Sequence, residues 1–441
     1  MTIQQFRDAV YQTLTKRAAA TMDLLDALTV AQHVASPVAL SEEEPFRREF
    51  SSVYDALENG AIDAQALAQA LHAQQPVDSE TVAGFEVYAL DTTPNERLEA
   101  ETLPDRGLLK SQKDEPVRPG WKFSWLVRLV QQRTSWVAPL DVRRVETAST
   151  DTQTAVAQVQ ALAKLGAQLK VVVADSLYGN HWFLAVFLLV TTVFALVRLR
   201  QNQNLYAAPP AKIPGAKGAP RKHGALFKLA QPAWPAERSE TFDLAGQTVQ
   251  LRAWTNLHLR KLPTLVGLLL CVQFMKADGT PRYKRPLWLF WTGSAAVPLA
   301  DLCRMYLWRF AIEHAFRFMK QHLGLNASRS THPPAVERWI WLCALAYWQL
   351  LLMRQSVADL RPAWHPHSRG GRTRPLTPGQ VQRSAQRFLL EMGSPAPATR
   401  PAGKGLGRPQ GYHPKPRPRY PVVKKGKKHP KVASARAPAP V

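Results

Sequence analysis

Residues 151–199 read DTQTAVAQVQALAKLGAQLKVVVADSLYGNHWFLAVFLLVTTVFALVRL. The Ala-rich periodicity predicts a helix over 151–168. KVVVAD (170–175) follows as a buried strand that stops on an acid, Asp175. A helix over 179–189 and a strand over 193–199 come next, with Thr191-Thr192 between them. Upstream, GFEVYALD (84–91) is another short strand ending on an acid, Asp91, and the stretch after it is polar and irregular. WKFSWLVRLV (121–130) and SWVAPL (135–140) add two strands around the turn residues QQRT. A three-strand meander followed by alternating helices and strands predicts an α/β fold, a mixed sheet with helices on both faces. Both acids fall at strand C-termini, where open α/β sheets usually carry their chemistry. If the first and fourth strands are adjacent and parallel, Asp91 and Asp175 become neighbours.

Outward from this unit the organisation changes. Residues 1–83 read as a helical module without a strand signal, either a DNA-binding or dimerisation unit or a structural cap. Residues 205–295 break the alternation. A Pro/Gly/Lys-rich loop (204–224) is followed by ALFKLA, TFDLAG, TVQLRAW, TLVGLLLCVQFM and LWLFWTG, a β-rich insertion into the α/β domain that begins over 84–204. Residues 296–358 return to helix, with one helix from near Pro298 and another over 335–356. Residues 359–441 are rich in Pro, Gly, Arg and Lys and poor in large apolar residues. They read as a basic, largely disordered tail with a short helix around 378–391.

The formal charge of +24 points to a polyanionic partner, most commonly nucleic acid. Residues 361–441 hold 18 of the 57 basic side chains and one of the 33 acidic ones, so the body is mildly basic and the tail strongly so. Cys271, Cys303 and Cys343 lie in apolar stretches without metal-type spacing and read as reduced core thiols. The N-terminal MTIQQFRDAVYQTLTKR has no apolar segment of the secretory kind, which favours the cytoplasm. The apolar runs Trp182–Val197, Leu265–Met275 and Trp339–Met353 fall short of the ~20 residues of a spanning helix, so no membrane role is expected.

Residues 306–320, YLWRFAIEHAFRFMK, form the other informative stretch. On a helix at ~100° per residue, Tyr306, Arg309, Glu313 and Lys320 share an arc of about 60°, and Arg317 extends it. The spacing of Arg309, Glu313 and Arg317 is also that of ordinary ion pairs on a wet helix face. Set beside Asp91 and Asp175, however, Glu313 completes a trio of carboxylates. Oxygen ligands of this kind suit Mg²⁺ or Mn²⁺, and a pair of such ions can drive phosphodiester cleavage.

Together, Asp91 in ALDTTPNERLEAETLPDR, Asp175 in VVVADSLYGN and the Y-x2-R-x3-E-x6-K spacing of Tyr306–Lys320 resemble the DDE transposases of bacterial insertion sequences. They are similar, more narrowly, to the subgroup defined by that signature. LGLNASRSTHPPAVERWIWLCALAYWQLLL and the GRPQG of the tail are similar too, and the resemblance covers roughly 84–420. It implies an RNase H-like catalytic domain interrupted by the insertion, with Asp91, Asp175 and Glu313 as catalytic, metal-binding residues for two Mg²⁺ or Mn²⁺ ions. It implies phosphate contacts from Tyr306, Arg309 and Lys320, and nucleoid association with transposon ends and target DNA as partners, the chain acting as a homodimer. Arg408, in Gly407-Arg408-Pro409, resembles the core of a minor-groove DNA hook. An inactive, element-derived DNA-binding protein and an RNase H-like nuclease without strand transfer stay open beside the transposase. Trp254 reads as either a core residue or a stacking surface for an extruded base. Asp105-Arg106 reads as either a loop salt bridge or a further phosphate contact.

Overall fold

The computed structural model describes residues 2–109, 116–211, 219–232, 234–361, 375–399, 407, 409–413 and 415–424. Four helices come first: Ile3–Thr13 (α1), Ala18–Val30 (α2), Ser51–Asn59 (α3) and Ala64–Ala73 (α4). A small antiparallel ribbon, Leu14–Lys16 with Ala61–Ile62, ties them together, a feature the all-helical reading of 1–83 lacked.

Five strands then build the centre of a mixed sheet. They are Phe85–Glu96 (β1), Arg118–Leu129 (β2), Val137–Val145 (β3), Lys170–Ala174 (β4) and Val193–Leu199 (β5), in the order β3-β2-β1-β4-β5. The first three form an antiparallel meander, and β4 runs parallel to both β1 and β5. The first and fourth strands are therefore adjacent and parallel, the arrangement under which the two acids become neighbours. β4 is buried at every position, which a strand covered on both faces demands. The crossover into β4 is Asp151–Ala163 (α5), started by a capping box from Thr150 and Gln153. It ends earlier than predicted because Gly166 turns the chain at φ +63°, a left-handed conformation that stops a helix. The crossover into β5 is a single α-turn, His181–Leu184 (α6), continued by a 3₁₀ turn over Ala185–Leu188.

The insertion contains Asn204–Ala207 (β6), Leu226–Lys228 (β7), Arg238–Asp243 (β8), Thr248–Leu259 (β9), Leu262–Phe274 (β10) and Leu287–Trp291 (β11). These strands extend the central sheet: β11 pairs antiparallel with β5, and the order runs outward as β5-β11-β10-β9-β6-β7. Trp254 is 1 % exposed here, packs with Phe227 and Trp288, and donates Nε1 to the Trp234 carbonyl at 3.1 Å. Of its two readings, core is the one that holds.

The chain then crosses back as Leu299–Trp308 (α7) and Phe310–Gln321 (α8), followed by Pro333–Met353 (α9) and Pro378–Met392 (α10). α9 lies between β3 and α2 and is buried along nearly its whole length. Its fully buried polar rings are matched: Trp348 donates to Pro139 at 2.5 Å, Tyr347 to Ser135 at 2.7 Å and Trp339 to Gly324 at 2.9 Å, all to carbonyls. Its apolarity is that of a core helix, and no helix among the described residues is long and apolar enough to cross a membrane. α10 buries Val381, Ala385 and Leu389 against α2 and α9. The segment 415–424 also lies on the body, where Tyr420 and Val423 donate their backbone N–H groups to the carbonyls of Glu101 and Arg106 at 2.7 Å. The helix expected around 378–391 is thus present as α10, and the segment 415–424 is packed where disorder was expected. Apolar spacing at Val381, Ala385 and Leu389 fills a face of α2, and the 415–424 backbone finds carbonyl partners. Cys271, Cys303 and Cys343 are free and buried.

Candidate active site

The helix expected over Tyr306–Lys320 is broken at Arg309. The backbone there tightens to i→i+3 bonding: Arg309 N–H reaches the Tyr306 carbonyl at 3.2 Å, and Ile312 N–H reaches the Arg309 carbonyl at 3.1 Å. The break divides the packing. α7 lies over β4 and β5, while α8 lies over β1, β2 and β3. α8 is anchored by Ala311, Ile312, Ala315 and Met319, all buried, and by Phe316 set edge-on to Trp125 of β2 at 5.6 Å. That anchorage turns the polar stripe toward the line where β1 and β4 part.

Asp91 does not end its strand. β1 continues to Glu96 by pairing with β2, whereas its parallel pairing with β4 stops at Leu90–Ala174. Asp91 and Asp175 are each the next residue after that last pair, so the sheet brings them together even though only Asp175 follows a strand end. Asp175 accepts the Leu177 N–H at 2.9 Å, and its carbonyl accepts the Tyr178 N–H at 3.2 Å. Tyr178 is fully buried against Phe183 and shapes this turn.

Arg309 joins the elements. It is 7 % exposed and donates Nη1 to Asp91 Oδ2 at 2.8 Å and Nη2 to Glu313 Oε1 at 2.7 Å. Burial opposes its charge, but Asp91, Tyr306, Glu313 and Asp175 together hold its pKa above the ordinary arginine value. Burial also pushes Asp91 up to about 6. Arg309 and the Thr92 N–H work against that rise, and Asp175 and Glu313 add to it. The three acids thus form one electrostatic unit with Arg309 as its internal cation. Tyr306 is buried beside Arg309, and burial raises its pKa above the ordinary phenol value. Lys320 is half-buried two turns further along α8, near Glu96 rather than the acids, and burial lowers its pKa. Arg317 and His314 are exposed, and Arg408 lies outside the described residues.

Among the described residues, no three acid, histidine or cysteine side chains stand at the spacing of a shared metal. The donor set is nonetheless one of hard oxygen ligands, and its negative charge is balanced where Arg309 now sits. The Asp105-Arg106 stretch does form a salt bridge, but not between its own two residues. Asp105 pairs with Arg144 at 2.6 Å, and the buried Arg106 donates to the carbonyls of Arg97, Leu98 and Tyr420. Sequence reasoning missed Arg198, whose charge acts on Tyr306, and Arg97, a buried cation at the end of β1. Arg97 sits in a polar run, PNERLE, that reads as solvated loop, so no one-dimensional signal marks it.

A family model described as DDE superfamily endonuclease matches residues 9–259, more than half of the chain. The match includes Asp91 and Asp175 and ends before Glu313. No curated protein matches the sequence. Among solved structures, a cryo-EM piggyBac transposase synaptic complex with hairpin DNA is similar at 10 % identity and a TM-score of 0.41. The alignment covers 86 % of this chain and 70 % of that one. A likeness at that level carries no weight for function.

Proposed function

The chain belongs to the DDE superfamily of endonucleases, and from that membership we propose that it is a DNA transposase of the insertion-sequence kind. In this reading Asp91, Asp175 and Glu313 are its catalytic acids. It cuts the ends of its element and transfers the freed 3′-OH to target DNA. The observation that carries the proposal is the bridge made by Arg309, which joins acids 218 residues and four residues away in the chain into one charged centre.

Half-buried carboxylates suit Mg²⁺ or Mn²⁺, and the residues that would hold two such ions are Asp91, Asp175 and Glu313. Bound there, the ions would activate water and stabilise the leaving 3′-oxygen of a phosphodiester. The remaining work falls to the chain itself. Arg309 releases at least one carboxylate, and its guanidinium is then free to take up phosphate oxygens near the cleaved bond. Tyr306, packed beside it, fixes its approach. Lys320 lies ~10 Å along α8 from Glu313 and meets a phosphate further along the strand. Arg408 and the basic tail add affinity that does not depend on sequence. Residues 84–204 and 296–358 form the catalytic domain in this reading, with 205–295 inserted between them. Synapsis of two ends requires at least two copies of the chain, acting in the nucleoid.

The test is nicking of duplex DNA that carries the element's terminal repeats, with Mg²⁺ present or chelated. Glu313→Gln should lose at least about a hundredfold in rate while still binding DNA. If the wild-type protein cuts no faster than this variant, the enzymatic reading falls.

A further inference from the structure

Arg97, the residue that follows β1, carries a charge that nothing in the described structure balances. It is 3 % exposed, and none of its three guanidinium nitrogens has a hydrogen-bond partner. The other buried arginines are all matched. Arg7 pairs with Asp26, Arg128 with Glu86, Arg354 with Asp78 and Arg309 with two acids, while Arg106 donates to backbone carbonyls. Burial and the neighbouring cation Arg329 push the Arg97 pKa down to about 10, with no carboxylate acting the other way. The group therefore stays charged at neutral pH. An unpaired buried charge is costly, and an anion bound beside it would offset that cost.

The surroundings are built from three segments. Asn95 donates Nδ2 to Asn326 Oδ1 at 3.0 Å, tying the end of β1 to the loop between α8 and α9, which also carries Arg329. Arg106 donates to the Arg97 carbonyl at 3.1 Å and to the Tyr420 carbonyl at 3.3 Å. The segment 415–424 crosses here, with Arg417 donating to Thr331 Oγ1 at 2.6 Å. It sets Arg419 beside Glu101 at 3.2 Å. The nearby acids are already engaged, Glu96 with Arg118 at 2.7 Å and Glu101 with Arg419 at 3.2 Å.

We propose that Arg97, with Arg329 beside it, seats a phosphate of the DNA backbone. The proposal rests on the DNA-cleaving reading of Asp91, Asp175 and Glu313 and adds a second, non-catalytic anchor to it. Six residues of strand separate Arg97 from Asp91, a span of about 20 Å, or roughly six base-pair steps of duplex. A guanidinium at that distance takes two phosphate oxygens through parallel N–H donors and fixes the register of the duplex on the protein. The nitrogens have no open surface, so phosphate entry requires the groups over them to shift, the exposed Arg329 among the neighbours free to do so.

The experiment measures binding of an end-repeat duplex to the full chain across a salt series, for wild type, Arg97→Gln and Arg97→Lys. Arg97→Gln should bind about tenfold more weakly, with a salt slope shallower by about one, and Arg97→Lys should recover part of the loss. Arg97→Leu is the folding control, because it removes the unpaired charge and should melt no lower than wild type without DNA. A scan of neutral methylphosphonates along the duplex gives the position. One substitution roughly six steps from the cleaved bond should weaken wild type and leave Arg97→Gln unaffected. Equal affinity and equal salt slopes for wild type and Arg97→Gln would overturn the seat while leaving the cleavage reading intact. The opposite split, an Arg97-dependent duplex complex that never cleaves, would support the seat and sink the cleavage reading. Thermal stabilisation by inorganic phosphate that depends on Arg97, without any effect of the variants on DNA, would overturn DNA as the source of the phosphate.

Discussion

Arg309 is paired with two carboxylates whose mutual repulsion it suppresses. Asp91 is 22 % exposed at its side chain and Glu313 43 %, so the pairs are only partly desolvated and each is worth less than a fully buried one. Arg309→Ala should therefore lower stability by about 1–2 kcal/mol in a chelator, since Asp91, Glu313 and Asp175 are left facing one another. If these acids bind Mg²⁺, the ion should restore much of that loss and raise the melting temperature of the variant more than that of wild type. An equal Mg²⁺ shift in both proteins would show that Arg309 does not stand where the cation goes. Asp91 supplies a separate test through protons. Its pKa is 3.8 when unfolded and about 6 when folded, so the native state is the better proton acceptor between those values. The stability this provides is complete below pH 3.8 and is lost as pH rises through about 6. Wild type should lose on the order of 2 kcal/mol relative to Asp91→Asn between pH 4 and 7, read from urea midpoints of the two proteins.

At the scale of elements, short buried strands between turn residues were legible and long-range pairings were not. KVVVA and VFALVRL form β4 and β5 where apolar runs bounded by polar punctuation place them. β1 ran past its predicted end because TTPNE, polar and containing Pro94, looks like a loop. In the fold it pairs with Lys122 and its neighbours on β2. Beyond Leu90 the other side of the strand has lost β4, so a proline there costs no ladder bond. The break between α7 and α8 was hidden for a related reason: apolar periodicity is continuous through Arg309, and the kink comes from contacts with the sheet. The three acids were singled out by residue type and by the resemblance of the motifs around them. The local element read for Asp91 was wrong, since β1 runs on past it. Arg97 was not singled out, because burial is a property of the assembled fold. The N-terminal helices make their own prediction. Arg7 of α1 donates to Asp26 of α2 at 2.6 Å and to the Gly393 carbonyl at the end of α10, and Gln349 of α9 donates to the same Asp26. Burial raises the Asp26 pKa, so removing its cation leaves an expensive charge. Arg7→Ala should cost about 3–5 kcal/mol in chemical denaturation, and the pair Arg7→Met with Asp26→Leu should recover most of it. A single variant within about 0.5 kcal/mol of wild type would show that this pair does not hold the helices together.

Across the whole molecule, charge and packing divide the C-terminal region into parts with different duties. α10 belongs to the core, because Val381, Ala385 and Leu389 close a face of α2 and α9 and Trp136 donates Nε1 to the Leu376 carbonyl at 2.8 Å. The segment 415–424 belongs to the surface around Arg97, held there by hydrogen bonds through Arg106, Glu101 and Thr331. Beyond Lys424 the sequence carries Lys425, Lys427, Lys428, Lys431 and Arg436 with no acid, a composition suited to counterion release from DNA. Truncation after Lys424 should leave the melting temperature within about 2 °C of wild type, since the core and the 415–424 contacts are intact. It should weaken binding to random duplex most at low salt and reduce the slope of log affinity against log salt by up to about 4, one increment of ~0.9 per phosphate released. Truncation after Met353 should instead lower stability sharply, because it uncovers the apolar faces that α10 closes. Fluorescence anisotropy across a salt series, paired with thermal melts, separates the two. A slope unchanged by the shorter truncation would mean that the body alone carries the polyanion contacts, and that the excess charge of the tail serves something other than DNA.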